Sequence, residues 1–157
     1  MNDEALKAAR GDIIEKSINL EIIMSAIICQ HYLGAVKDNF LFEVLLDEHF
    51  SFGFKRRIIE KIVPMSTGLK EKLGKLNKIR NYFAHWGPRV FWGAALPTDV
   101  ESFIIPDRRH PHERLDFEAL YEEFKKLEPQ VTKHLFQFTK KLGMSPIPAP
   151  KKVNHTL

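Results

Sequence analysis

The sequence predicts an all-α fold: an up-and-down bundle of four to five helices, with an insertion at about 88–114 before the last helix. Two observations support it. Apolar residues recur at helical spacing over most of the chain, and most of the nine prolines fall within the insertion or the last fourteen residues. We therefore expect one helical domain over 1–143 and a basic, proline-rich tail over 144–157 that is disordered.

The first helix is predicted over residues 3–33. Asp3 can cap its N-terminus, no proline interrupts it, and Gly34 can end it. Between residues 17 and 32 the segment is almost entirely apolar, which favours a position at the centre of the bundle. Cys29, the single cysteine of the chain, lies in this stretch and is expected to pack in the core.

Three further helices are predicted before the insertion. One covers about 39–48, and the next covers 54–63 and is stopped by Pro64. The third covers 68–85, where Ser66 or Thr67 can cap it and the Gly87-Pro88 pair ends it. Its apolar stripe consists of Leu69, Leu73, Leu76, Ile79 and Phe83.

The insertion contains two β-like runs, VFWGA at 90–94 and ESFII at 101–105, which indicate a small hairpin. The last helix is expected to start after a cap at Asp116 and to run to about Leu142. Pro129 lies within it and predicts a kink.

Charge is distributed unevenly along the chain. The net charge is +4, but residues 1–50 carry −5 and residues 55–80 carry +7. The basic segment fits either a polyanionic partner or a solvated helix face, and charge alone does not decide between them. The sequence has no apolar run long enough for a membrane span and no signal-peptide pattern at its start, so we expect a cytoplasmic protein.

The residues most suited to chemistry lie in the stretch KIRNYFAHWG, at 78–87. Histidine moves protons near neutral pH, and the guanidinium fork of arginine stabilises charge on phosphate oxygens. Arg80 and His85 therefore suit phosphodiester cleavage without a metal or cofactor, since RNA supplies its own 2′-hydroxyl nucleophile. The alternative is structural: an ion-paired arginine and a histidine at a helix C-terminus.

One histidine supplies only half of an acid–base pair. A symmetric homodimer would supply the second half by bringing two copies of the motif together. The segment 107–112, which contains two further histidines, is weak evidence for a metal site and fits an exposed basic loop that touches RNA better.

The motif IRNYFAH resembles that of the HEPN superfamily, in which an arginine and a polar residue are followed, after a short gap, by a histidine. The matching residues are Arg80, Asn81 and His85, and the likeness extends over about 15–86. The resemblance implies a dimeric helical bundle whose two motifs face each other across a cleft. Many relatives are metal-independent endoribonucleases, often toxins or antiviral effectors, and others retain the fold without known cleavage.

The resemblance implies two possible functions. The first is an RNA-cleaving homodimer, with an antitoxin or regulatory protein as a further partner. The second is a non-catalytic dimeric scaffold that binds a protein or nucleotide, including a transcriptional regulator. Toxins paired with a nucleotidyltransferase antitoxin often carry tyrosine two positions after the histidine, where this chain has Gly87.

Several other residues are candidates for supporting roles. Glu21 is an isolated acid in the apolar part of the first helix, and we expect it to pair with Arg80, or else to face water or meet another base. Asn81 would hold the histidine or contact a phosphate, or face solvent. Tyr82 and Trp86 would stack on bases or be buried. The predicted RNA-binding cations are Arg56, Arg57, Lys70, Lys75 and Lys78.

Overall fold

The protein is an all-α helical bundle, as the sequence predicts. A computed structural model describes residues 3–47, 50–85, 104–106 and 114–144. In chain order the elements are α1 (Asp3–Leu33), a π-helix (Phe40–Leu45), α2 (Phe52–Ile62), α3 (Thr67–His85), β1 (Ile104–Pro106), β2 (Arg114–Asp116) and α4 (Phe117–Lys141).

Helix α1 is the central element and packs against α2, α3, α4 and the π-helix. Its second half is buried on most sides because almost every residue there is apolar. Gly34, at φ 70°, ends the helix in a left-handed conformation that glycine adopts without strain. Cys29 is fully buried, as predicted, and its Sγ accepts a hydrogen bond from the Lys37 backbone N–H at 3.1 Å.

The second predicted helix is shorter than expected and is not an α-helix. It is a π-helix over Phe40–Leu45, and the Leu46 N–H donates to the Leu41 carbonyl five residues back, at 2.9 Å. Asn39 makes no side-chain cap hydrogen bond, and so short a segment gains little from helix propagation. Burial of Leu41 and Leu45 therefore holds the segment in place.

Helices α2 and α3 both begin at serine caps. Ser51 Oγ accepts from the Phe54 N–H at 3.4 Å, so α2 starts two residues earlier than predicted. Ser66 Oγ accepts from the Leu69 N–H at 3.3 Å, which confirms one of the two predicted caps of α3. The predicted stripe of α3 faces the core: its last four members are buried, and Leu69 packs against them.

Helix α4 closes the bundle against α1 and α3. Asp116 caps it as predicted, because its Oδ1 accepts from the N–H groups of Glu118 and Ala119, both at 3.0 Å. Pro129 lies inside the helix without ending it. Tyr121 Oη donates to Asp12 Oδ2 at 3.1 Å, which ties α4 to the first half of α1.

The structure contains a two-stranded pairing before α4, but its second strand is not one of the two predicted runs. β1 pairs antiparallel with β2, with Ile105 opposite Leu115. Only the end of the ESFII run is in β1. The second strand immediately precedes α4 and was not predicted, because its three residues carry no alternating pattern. The VFWGA run and the proposed disordered tail beyond Met144 lie outside the described residues.

Candidate functional site

The candidate site forms around Arg80, in the last part of α3. Its neighbours Ile79 and Phe83 are anchored in the core, so the guanidinium leaves the helix beside the apolar stripe rather than opposite it. The Arg80 side chain is 29% exposed. The side chain is therefore partly buried and still accessible to solvent.

Glu21 of α1 lies between two cations. Its Oε1 is 3.7 Å from Arg80 Nη2, and its Oε2 accepts a hydrogen bond from Lys55 Nζ at 2.8 Å. The predicted ion pair between Glu21 and Arg80 is confirmed. The closer partner of Glu21 is nevertheless Lys55. The sequence left open a base other than Arg80 as the partner, but it did not identify which one.

Lys55 is the most deeply buried charged residue of this cluster. Its side chain is 1% exposed, against 15% for Glu21. Lys55 belongs to the basic segment of residues 55–80, for which the sequence predicts either a polyanionic partner or a solvated helix face, and its burial shows that neither holds for this residue. It lies on the side of α2 that packs against α1, where the apolar residues Phe52 and Ile59 are also buried, and a lysine there needs a carboxylate partner.

The arginine fork retains hydrogen-bonding capacity. Arg80 Nη1 donates to Asn81 Oδ1 at 3.3 Å, and Arg80 Nε is buried without a hydrogen-bond partner in the described parts of the chain. A guanidinium has five N–H donors. One carboxylate balances two cations here, so the cluster of Glu21, Lys55 and Arg80 carries a net charge of +1, an arrangement that can accept an anion.

His85 is the last residue of α3, five positions after Arg80. The helical rise separates the two Cα atoms by about 7.5 Å along the axis. The side chain of His85 lies outside the described residues, as do Trp86 and the 107–112 segment. Helix α3 reaches His85, which is the end that the sequence predicts.

Arg10 of α1 lies at this end of α3 and was also missed from sequence. Its Nη2 donates to the Ala84 carbonyl at 3.3 Å. The last carbonyls of a helix have no partner within the helix and carry a partial negative charge, so a cation there is favourable. Arg10 thus adds a positive charge beside the backbone that presents His85.

The five predicted RNA-binding cations occupy different environments. Arg57, Lys70 and Lys78 are exposed, and Lys78 Nζ lies 5.6 Å from the ring centroid of Tyr82. Lys75 Nζ is 2.7 Å from Glu123 Oε1, so its charge is partly balanced by α4. That contact raises the pKa of Lys75, chiefly through the hydrogen bond to Glu123.

Arg56 is more constrained than the other cations. Its Nε is 3.5 Å from Glu60 Oε1, and its Nη1 would lie only 2.7 Å from a Cβ at Gly74. The missing side chain at Gly74 therefore lets the Arg56 guanidinium rest against α3. The same two helices also meet at Gly53 of α2 and Asn77 of α3. Asn77 lies three residues before Arg80, so Arg56 and Arg80 belong to the same contact between α2 and α3.

Comparison with protein-family models, curated proteins and solved structures gave no match. In the described ranges, no three histidine, cysteine, aspartate or glutamate side chains are grouped as metal ligands would be. None of the helices described there has the length and apolarity that a membrane crossing requires.

Proposed function

We propose that the protein is a metal-independent endoribonuclease of the HEPN type, acting as a homodimer. The observation that supports this most directly is the placement of Arg80. Its guanidinium is held by Glu21 and Asn81 and partly open to solvent. It lies on the helix that ends at His85, and the motif IRNYFAH resembles that of the superfamily.

In the proposed reaction, the 2′-oxygen of a ribose attacks the adjacent phosphorus and the bond from phosphorus to the 5′-oxygen breaks. One histidine accepts the 2′-hydroxyl proton, and the second copy of His85 donates a proton to the leaving 5′-oxygen. The products are a 2′,3′-cyclic phosphate and a 5′-hydroxyl. Arg80 stabilises the charge that accumulates on the phosphate oxygens.

The surface around the cluster is suited to a second copy. Ile18 lies three residues before Glu21, on the same side of α1, and is 50% exposed. Exposed apolar side chains beside a polar cluster are typical of interfaces. Arg57, Lys70 and Lys78 would attract RNA through its phosphates.

The test is cleavage of a mixed cellular RNA pool with EDTA present. We expect the wild type to cleave, and His85→Ala and Arg80→Ala to lose about 10²-fold or more of the rate. Arg80→Lys should recover little of it, because an ammonium cannot reproduce the two-pronged contact of the guanidinium.

Lys70→Ala is the matched control. It removes one exposed cation from the same helix, so it should weaken RNA binding while leaving the rate at saturating protein nearly unchanged. If the wild-type dimer leaves the RNA intact, the nuclease proposal fails. The non-catalytic HEPN-like scaffold that binds a protein or nucleotide would then be the better account.

A further inference from the structure

The buried lysine of the cluster has no part in the proposed reaction, yet it determines the charge beside the arginine. Lys55 Nζ is 2.8 Å from Glu21 Oε2, whereas Arg80 Nη2 is 3.7 Å from Oε1. The carboxylate is therefore bound more closely to the lysine than to the arginine. Charge-assisted hydrogen bonds are short, and 3.7 Å exceeds the hydrogen-bond range.

We infer that Lys55 is a positioning residue that keeps Arg80 available to a phosphodiester anion by drawing Glu21 away from it. A carboxylate and a guanidinium alone form a two-pronged neutral pair. Such a pair would occupy the donors that an incoming phosphate needs. With Lys55 present, the cluster keeps a net positive charge, and Arg80 Nη2 is not hydrogen-bonded to Glu21.

Burial of Lys55 explains why Glu21 pairs with the lysine. Lys55 is 1% exposed, and a buried ammonium without a carboxylate is costly. Glu21 is consequently held toward the protein interior. Arg80 has the most exposed side chain of the three, so an anion would approach the cluster from the arginine side.

This inference deepens the proposed function, and its test uses equilibrium binding so that it does not depend on cleavage. The probe is a fluorescein-labelled, fully 2′-O-methylated single-stranded RNA, which lacks the 2′-hydroxyl nucleophile. In Lys55→Met the packing volume is retained and the charge is lost, so Glu21 should pair fully with Arg80. We expect binding about tenfold weaker than that of the wild type.

A mutant cycle separates this role from a general structural one. In an Arg80→Ala background, Lys55→Met should have no further effect on the binding of the folded protein, because its influence passes through Arg80. The control Lys70→Met removes an exposed cation that lies about 15 Å from Arg80 along the axis of α3, and its effect should be equal in both backgrounds. An equal effect of Lys55→Met in both backgrounds would overturn the inference.

The double variant Glu21→Gln/Lys55→Met gives a second measurement should Lys55→Met fail to fold. It removes the buried charge pair together, so it leaves no unpaired ion, and it frees Arg80 from its counterion. We expect it to bind the probe at least as tightly as the wild type. Weaker binding by the folded double variant would contradict the inference, and so would a wild type that does not bind the probe.

The inference and the proposed function can fail separately. If the cycle shows coupling between Lys55 and Arg80 but wild-type protein never cleaves unmodified RNA, the anion site stands and the nuclease proposal falls. If wild type cleaves RNA while Lys55→Met binds the probe as tightly as wild type does, the nuclease proposal stands and the role of Lys55 falls.

Discussion

Lys55 Nζ donates a 2.8 Å hydrogen bond to Glu21 Oε2 and thereby joins α2 to the most apolar part of α1. The bond lies in a region where the neighbouring core residues are aliphatic or aromatic. A charge pair in such surroundings is costly to break from either side, but the two sides are not equivalent. Glu21 has a second cation nearby in Arg80, whereas Lys55 depends on Glu21.

The first prediction concerns stability. Glu21→Ala leaves the buried Lys55 ammonium without its carboxylate, so it should lower the free energy of unfolding by about 3–5 kcal/mol. Lys55→Met should cost less, about 1–2 kcal/mol, because Glu21 is partly exposed and can still pair with Arg80. Urea denaturation measures both. A larger loss for Lys55→Met than for Glu21→Ala would contradict the prediction, because it would mean that an unpaired Glu21 costs more than an unpaired Lys55.

Sequence reasoning was most reliable where local signals and burial agree. The apolar run of α1, the stripe of α3 and the aspartate cap of α4 are local patterns with a direct physical cause. The ion pair of Glu21 with Arg80 was also predictable from the sequence, because an isolated acid in an apolar helix needs a cation as its partner. The π-helix was not predictable from the sequence, since six residues give no periodicity that distinguishes i→i−4 from i→i−5 hydrogen bonding.

The tertiary partners of the site were harder to predict. Lys55 stands in FKRR beside two arginines that face outward or lie along the helix surface, and nothing local marks it as the buried one. Its burial depends on how α2 rotates against α1, which is a property of the packed bundle. The contact of Arg10 with the Ala84 carbonyl spans 74 positions, and an exposed arginine such as Arg10, unlike an acid among apolar residues, needs no particular partner.

The second prediction tests the cap that the sequence located. Asp116→Ala removes the acceptor of two backbone N–H groups at the start of α4, so stability should fall by about 1 kcal/mol. Asp116→Asn is the matched control, because asparagine caps nearly as well, and it should remain close to wild type. Thermal unfolding followed by circular dichroism distinguishes the two. Equal losses would mean that the charge of Asp116, rather than the cap, is what matters.

The third prediction concerns alkaline pH. Burial, and then the hydrogen bond to Asp12, raises the pKa of Tyr121 above its ordinary value of 10.0. The folded protein therefore holds this proton more tightly than the unfolded chain does. The resulting stabilisation is fully present below pH 10.0 and is lost as pH rises through the raised pKa.

Tyr121→Phe removes both the hydrogen bond and the titrating group. Its deficit relative to wild type should be about 1 kcal/mol at pH 8 and should shrink as the pH rises above 10. Urea denaturation at pH 8 and at pH 10.5 measures the change. Tyr32→Phe is the control, since Tyr32 is 63% exposed, and it should show no such convergence. A deficit for Tyr121→Phe that grows with pH would contradict the prediction.

The fourth prediction tests the dimer that the proposed mechanism requires. Light scattering at micromolar concentration should give about twice the 18.2 kDa chain mass. Ile18→Arg places a charge beside the Glu21 cluster, on the surface proposed to meet the second copy, and two-fold symmetry would bring two such charges together. We expect the dimer to weaken by at least about tenfold.

The added charge is positive, so it does not reduce the attraction to RNA, and cleavage per chain should fall with the dimer fraction. Phe136→Arg is the matched control: Phe136 is 47% exposed on α4, and its variant should remain dimeric and active. If Ile18→Arg is monomeric yet cleaves at the wild-type rate, one motif suffices and the two-copy site is excluded; if it remains dimeric, the chains associate through another surface.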